Sequence, residues 1–190
     1  MRPREGRPDS RLSYRNCSAL VEQMSWNIVI ISGGQTGASR AALDFAIENQ
    51  ISYGGWCPKG RPALDGPIPD RYQLKETPSA EYAERALWNL RDADAAVVFS
   101  LTEEGNESSR KTLSMAKKLK KPCVHFHQGI LAVAEKLAQF VAKHRVHRLA
   151  VVGSSESTEP GIYAWVAKVL EKTQTTVSSQ ASSVQYRRRV

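Results

Sequence analysis

A short β-branched run near the start of the chain most limits its fold. Residues 27–32 read Asn-Ile-Val-Ile-Ile-Ser and lead directly into Gly33-Gly34. A run that is apolar at consecutive positions predicts a strand buried on both faces, as in a parallel sheet. Residues 37–49 then repeat apolar side chains at helical spacing. The chain therefore opens with a strand, a glycine turn and a helix.

The same alternation continues to about residue 172. Strands are expected at 51–56, 95–100, 122–126 and 148–153, and helices at 79–90, 107–120, 129–143 and 160–172. This order predicts an α/β fold, a Rossmann-like three-layer sandwich with a mostly parallel sheet. Ligands in such sheets bind at the carboxyl ends of the strands. The loops at 32–37, 54–66, 100–109 and 153–159 are therefore the places to look for a site.

Composition indicates one domain with basic ends. We expect a disordered leader at 1–25, a ligand-binding domain at 26–172 and a disordered basic tail at 173–190, with Met24 as an alternative start. The net charge is +8, but residues 27–171 hold 18 basic and 16 acidic residues. A nearly neutral core argues against nucleic acid as its partner. Three scattered cysteines, no signal pattern and no membrane-length apolar run favour the cytoplasm.

The first strand-end loop carries the sharpest chemical signal. Gly33, Gly34, Gln35, Thr36 and Gly37 join a buried strand to a helix, where free amides and the helix dipole favour an anion such as phosphate. The spacing fits neither a Walker A loop nor GxGxxG. The alternative is a tight turn that merely needs glycine.

Three further segments offer weaker signals, each with a structural alternative. The last strand leads into a loop of mostly small residues that holds Gly153, Ser154, Glu156 and Ser157 and suits a ligand or a plain flexible loop. Ser100 begins a loop with Glu103, Glu104 and Glu107, and these glutamates could point away, bind a cationic or polar group, or act as bases. Trp56, Lys59 and Gly60 could stack on a base and meet a phosphate, or Trp56 could pack on the core. A nucleophilic Cys57 or a metal on His125 and His127 lacks the partners that either needs, so no metal is expected.

Several segments together resemble one family. They are Ile31–Gly37, Arg40–Asp44, Gly54–Gly60, Asp65–Pro69, Leu74–Thr77, Trp88–Asp94, Val98–Ser100, Lys121–Cys123 and Val152–Tyr163. The pattern is similar to the molybdenum-cofactor carrier group, the circularly permuted YpsA-like branch of the SLOG superfamily, which includes the LOG phosphoribohydrolases and the DprA proteins. The resemblance spans about residues 26–170.

The resemblance implies a carrier or binding protein for a nucleotide-like ligand, with a nucleotide or molybdenum cofactor bound at the strand ends. Arg40 and Thr112 join the expected binding residues on this ground. The PGGxGTxxE signature of the LOG hydrolases is absent from the chain. An enzyme acting on a nucleotide or ADP-ribose-type substrate, with Asp44 positioning water, is the alternative. A DprA-like nucleic-acid binder is third, and a homo-oligomer, dimer or tetramer, is expected.

The chain departs from the family pattern at three places. Ser39 stands where the family favours Asp, Glu107-Ser108 where it has Gly-Gly, and Ser155 where Arg is common. The Glu107-Ser108 change blocks close backbone approach and adds a negative charge. Together the departures predict a divergent ligand or lost function.

Overall fold

A computed structural model describes the backbone of residues 26–187 and the side chains of residues 26–179. A five-stranded sheet lies at its centre, in the order β2 (Tyr53–Gly54), β1 (Val29–Ile31), β9 (Arg148–Gly153), β7 (Ala95–Phe99) and β8 (Cys123–Phe126). Each neighbouring pair in this sheet is parallel. The predicted leader at 1–25 and the alternative start at Met24 lie outside the described residues.

Helices cover both faces of the sheet. They are α1 (Ala38–Glu48), α2 (Tyr82–Asp92), α3 (Glu107–Lys118), α4 (Val133–His144) and α5 (Ile162–Arg187). Residues that alternate along a strand point to opposite faces. Accordingly, Ile30 packs in the larger core, which α1, α4 and α5 share, whereas Ile31 packs in the smaller core with α2 and α3. The expected Rossmann-like three-layer α/β sandwich is confirmed.

Small elements in the 53–76 segment differ from the predicted strand and open loop. The run expected as one strand at 51–56 divides between β2 and β3 (Trp56–Cys57), because Gly55 takes a φ of 136° between them. β3 pairs with β6 (Lys75–Glu76) in a separate two-stranded sheet. Within the proline-rich loop, β4 (Pro62–Ala63) and β5 (Gly66–Pro67) form a hairpin with Leu64 and Asp65 at its tip.

The carboxyl-terminal helix corrects the expected domain end. Helix α5 continues to Arg187, so the tail predicted to be disordered from 173 is helical for most of its length. Residues 162–187 contain neither Gly nor Pro, and the Thr173 hydroxyl donates to the Val169 carbonyl 2.7 Å away. Thr173 is fully buried and Val177 packs against the larger core. The polar composition that suggested disorder therefore belongs to a helix, which packs on the domain as far as Val177.

No helix in the described part of the chain is both long and apolar enough to cross a membrane.

Candidate functional site

Two cavities lie beside the glycine loop 33–37, at the carboxyl edge of the sheet. The tyrosine cavity has a volume of about 690 Å³, and its walls include Thr36, Asp44, Arg71, Tyr72 and Tyr163. The arginine cavity has a volume of about 520 Å³, and its walls include Gln35, Arg85, Asn106, Thr112 and Gly153. Leu64, at the hairpin tip, lines both. Both volumes lie in the range of small-molecule sites.

Close backbone packing fixes the glycine loop at the start of α1. Gly37 has a φ of 82°, and a Cβ there would lie 2.5 Å from the Ser154 carbonyl oxygen and 2.6 Å from the Glu156 nitrogen. The Ala38 N–H donates to the same Ser154 carbonyl at 3.1 Å. The first amide of α1 is thus used within the protein, and only glycine fits at position 37 without a clash.

Arg85 of α2 lies directly over Gly33. A Cβ at Gly33 would come within 3.0 Å of the Arg85 Cζ atom, so the absence of a side chain there makes room for the guanidinium. No ion pair or hydrogen bond of Arg85 occurs among the residues whose side chains are described, and its Nε is shielded from solvent. Burial lowers the pKa of this side chain from its ordinary value. The arginine cavity thus contains a cation without a counter-charge.

Unpartnered polar atoms concentrate at this edge of the sheet. Within the described side chains, five buried polar atoms lack a hydrogen-bond partner: Gln35 Oε1, Thr36 Oγ1, Arg85 Nε, Ser109 Oγ and Trp26 Nε1. Four of them surround the glycine loop and the start of α3, and Gln35 is only 9% exposed. Buried polar groups in folded proteins are nearly always paired. Four exceptions together make this edge of the sheet the candidate ligand site.

A carboxylate held by two phenols and an arginine forms the wall of the tyrosine cavity. Asp44 Oδ1 accepts from the Tyr72 hydroxyl at 2.7 Å and from Arg71 at 2.8 Å, and Oδ2 accepts from the Tyr163 hydroxyl at 2.9 Å. Burial, with the bond to Asp44, raises the pKa of Tyr163 to about 12 and also raises that of Tyr72. Both phenols therefore keep their protons at neutral pH.

The hairpin is tied to the glycine loop. Arg40 donates to the Gly34 carbonyl at 3.0 and 3.1 Å and pairs with Asp65 at 2.7 Å. Gln35 Nε2 donates to the Pro62 carbonyl at 2.9 Å, which leaves its Oε1 unpaired. Arg40, expected to meet the ligand, contributes to the tyrosine cavity mainly by holding these two loops together.

The loop after β9 also lies at the site, and its polar side chains form hydrogen bonds within the protein. Glu156 and Ser157 line the tyrosine cavity, but the Glu156 carboxylate accepts from the N–H groups of Gly161 and Tyr163 at 2.6 and 3.0 Å, and so caps α5. The helix consequently begins at Ile162 rather than at the expected Pro160. Ser154 is buried, and its Oγ accepts from Asn106 at 3.0 Å.

The three residues of the 53–60 segment that were expected to bind the ligand lie outside both cavities. Trp56 packs edge-on against Trp88, with ring centroids 4.5 Å apart, and its indole N–H donates to Asp92 at 2.7 Å. Lys59 is exposed, and the Gly60 N–H donates to Glu76 at 2.7 Å. These three residues line neither cavity, which favours the alternative in which Trp56 packs on the protein.

Ser100 has a structural role, and the structure favours neither a reactive Cys57 nor a metal site among the described residues. Ser100 is fully buried, with its hydroxyl 2.6 Å from both the Thr102 carbonyl oxygen and His125 Nε2. Burial raises the pKa of the Cys57 thiol, the opposite of what an activated nucleophile needs. In the part of the chain that the structure covers, no cluster of three His, Cys, Asp or Glu side chains is placed for a metal.

The three departures from the family pattern converge on the arginine cavity, which Ser39, Glu107, Ser108 and Ser155 all line. The Glu107 carboxylate is 74% exposed and pairs with Lys111 at 2.7 Å, so its charge is balanced by that lysine. Thr112 also lines this cavity, and its hydroxyl donates to the Ser108 carbonyl at 3.0 Å. The departures change the wall of one cavity rather than the fold.

Sequence reasoning missed Arg85, Tyr72 and Tyr163. Arg85 lies on a helix whose sequence resembles an ordinary amphipathic surface helix, and nothing local marks its side chain as partly buried. Tyr163 bonds to a carboxylate 119 positions away. The local signal available for the tyrosines was their place in or beside the family motifs.

Comparisons with known proteins show the family of the chain. Residues 30–174 match the model of the circularly permutated YpsA SLOG family. The chain belongs to this family. A solved structure named "Putative molybdenum carrier protein", from Syntrophus aciditrophicus SB, is similar to this cpYpsA chain at 38% identity and a TM-score of 0.74. The match covers 77% of the present chain and 95% of the other. No curated protein matches the chain.

Proposed function

We propose that this cpYpsA protein binds a nucleotide-like small molecule, and that the arginine cavity holds an oxyanion, either a phosphate group or a molybdate. The observation that carries the proposal is Arg85, a cation without a counter-charge over the glycine loop. Guanidinium groups bind tetrahedral oxyanions through paired N–H donors. Because the first amide of α1 already bonds to Ser154, Arg85 supplies the stronger anion contact.

The neighbouring polar atoms suit the same ligand. Ser109 Oγ can donate to an oxyanion, and Gln35 Oε1 can accept from a protonated oxygen or from an N–H group of the ligand. The "molybdenum carrier" name of the related structure is consistent with two ligands of this chemistry. One is molybdate itself, and the other is a molybdenum cofactor, whose organic part ends in a phosphate. Direct coordination of the metal does not fit the described residues.

Carriage fits the site better than hydrolysis, because four of the five carboxylates that line the two cavities already have partners, and the fifth, Glu81, is exposed. Asp44 accepts from two phenols, Asp65 pairs with Arg40, Glu107 pairs with Lys111, and Glu156 caps α5. Glu103 and Glu104 are exposed and line neither cavity. A general base must reach the proton that it removes, and the four partnered carboxylates are committed to structure.

Calorimetric titration of the full chain tests the proposal. Inorganic phosphate, molybdate and AMP are each titrated alone and in competition, with adenosine as the uncharged comparison. We expect the oxyanion-bearing compounds to compete for one site, and we expect Arg85→Met to weaken all of them. Binding that is equally strong for adenosine, or that Arg85→Met leaves unchanged, would contradict the proposal.

A further inference from the structure

The glycine loop presents one unpaired oxygen to each cavity. Gln35 lines the arginine cavity and Thr36 lines the tyrosine cavity, and each has a buried side-chain oxygen without a partner. The two residues are adjacent in the chain. An oxyanion bound at Arg85 alone would leave Thr36 Oγ1 unsatisfied, whereas a ligand that crosses the loop could satisfy both.

The size and wall of the tyrosine cavity also point to a second part of the ligand. A volume of about 690 Å³ is far more than an inorganic oxyanion fills. The Tyr163 hydroxyl donates a hydrogen bond to Asp44, so the lone pairs of the hydroxyl oxygen can accept hydrogen bonds from a ligand in the cavity. Arg71 and Asp65 are paired, with Asp44 and with Arg40. The wall therefore suits a neutral group that carries O–H or N–H donors.

The hairpin tip adds an apolar contact between the two cavities. Leu64 is 62% exposed although the hairpin is fixed to the glycine loop by Gln35 and Arg40. It lines both cavities, so any molecule that occupies both must pass against it. An aliphatic side chain at this point would be covered by a planar or apolar part of the ligand.

From these three observations we infer that the tyrosine cavity is the second half of the ligand site. The ligand is an organic phosphate of the nucleoside monophosphate class, with its oxyanion on Arg85 and its donor-bearing end against Thr36 and Tyr163. Leu64 covers the part between them. This inference rests on the proposed function, since it assumes that the arginine cavity holds the oxyanion.

Variants of the full chain separate the two halves of the site. We titrate wild type, Tyr163→Phe and Leu64→Ser with inorganic phosphate, ribose 5-phosphate, AMP and GMP. Tyr53→Phe is the matched control for the phenol, because Tyr53 lines neither cavity and its hydroxyl bonds, among the described residues, only to the backbone carbonyl of Arg71. Leu131→Ser is the control for the leucine, because Leu131 is 83% exposed and lines neither cavity.

We expect at least one nucleoside monophosphate to bind more tightly than inorganic phosphate. Tyr163→Phe and Leu64→Ser should each weaken that ligand by about 3- to 10-fold, and should leave the affinity for inorganic phosphate unchanged. The controls should match wild type.

The outcomes distinguish this inference from the proposed function. If no organic phosphate binds more tightly than inorganic phosphate, or if the two variants bind the monophosphates like their controls, the second half-site is refuted and the oxyanion site stands. If inorganic phosphate and molybdate do not bind, or if Arg85→Met binds them like wild type, the proposed function itself fails. Circular dichroism of each variant confirms that it is folded.

Discussion

Replacing Arg85 with methionine should change stability and binding in opposite directions. The guanidinium has no ion pair or hydrogen bond among the described residues, and its Nε is shut off from water. A shielded, unpaired polar group costs about 1–3 kcal/mol. Methionine is unbranched and fills a similar space without that cost. The free energy of unfolding of the ligand-free protein should therefore rise by about 1–3 kcal/mol. Each kcal/mol should raise the Tm by roughly 2–4 °C.

Binding should fall in the same variant. Hydrogen bonds to charged groups contribute about 1.5–3 kcal/mol, so the affinity for phosphate or AMP should drop by about 10- to 150-fold. Wild type gains about 2.7 kcal/mol from a ligand at 100 times its Kd, and the variant should lose about half to nine-tenths of this gain at the same concentration. Urea unfolding and calorimetry measure the two effects.

Arg110→Met is the matched control, because Arg110 lies on α3, outside both cavities, and its loss changes the net charge equally. This control should bind oxyanions like wild type. If Arg85→Met lowers the stability of the ligand-free protein and leaves its affinity intact, Arg85 is a structural residue and the reasoning is refuted.

Four further predictions test the packing around the site. Gly37→Ala should cost about 2–4 kcal/mol in urea unfolding, because its positive φ and the Ser154 carbonyl both exclude a Cβ; wild-type stability would contradict this. Trp56→Phe should cost about 1–3 kcal/mol through its lost bond to Asp92, and calorimetry should show unchanged AMP affinity. A chain ended at Lys172 should unfold at lower urea than one ended at Ser179, since it lacks the last packed turns of α5. The Arg91 and Trp56 hydrogen bonds hold the pKa of Asp92 below its ordinary value. Their stabilisation is therefore complete above a pH of about 4 and is lost as the pH falls below it. Asp92→Asn should reduce this loss when urea midpoints are measured against pH.

The central fold was predictable because its strands carry local signals. The runs at 27–32, 95–100 and 148–153 are apolar at consecutive positions, which is typical of strands buried on both faces, and the structure places all three side by side. The small β3–β6 and β4–β5 pairs were not predictable. Two-residue strands in a segment rich in proline and glycine have no periodicity to detect.

The site was predictable only as a location. The glycine loop marked the correct edge of the sheet, since that position follows from the strand–turn–helix order. The groups that give the site its charge and polarity come from distant parts of the chain. Arg85 reaches Gly33 only after α2 docks, and Tyr163 meets Asp44 across 119 positions. The predicted oligomer and cytoplasmic location stay predictions.

A crystal structure of the full chain with tungstate would test the central claim most directly. Tungstate is a tetrahedral oxyanion that can stand in for phosphate and molybdate, and its electron density is unmistakable. The account predicts tungstate in the arginine cavity, within hydrogen-bond distance of the Arg85 guanidinium and beside Gly33, and predicts that AMP displaces it. Tungstate bound at the start of α1 without contact to Arg85, or an arginine cavity that stays empty at saturating tungstate, would contradict the account.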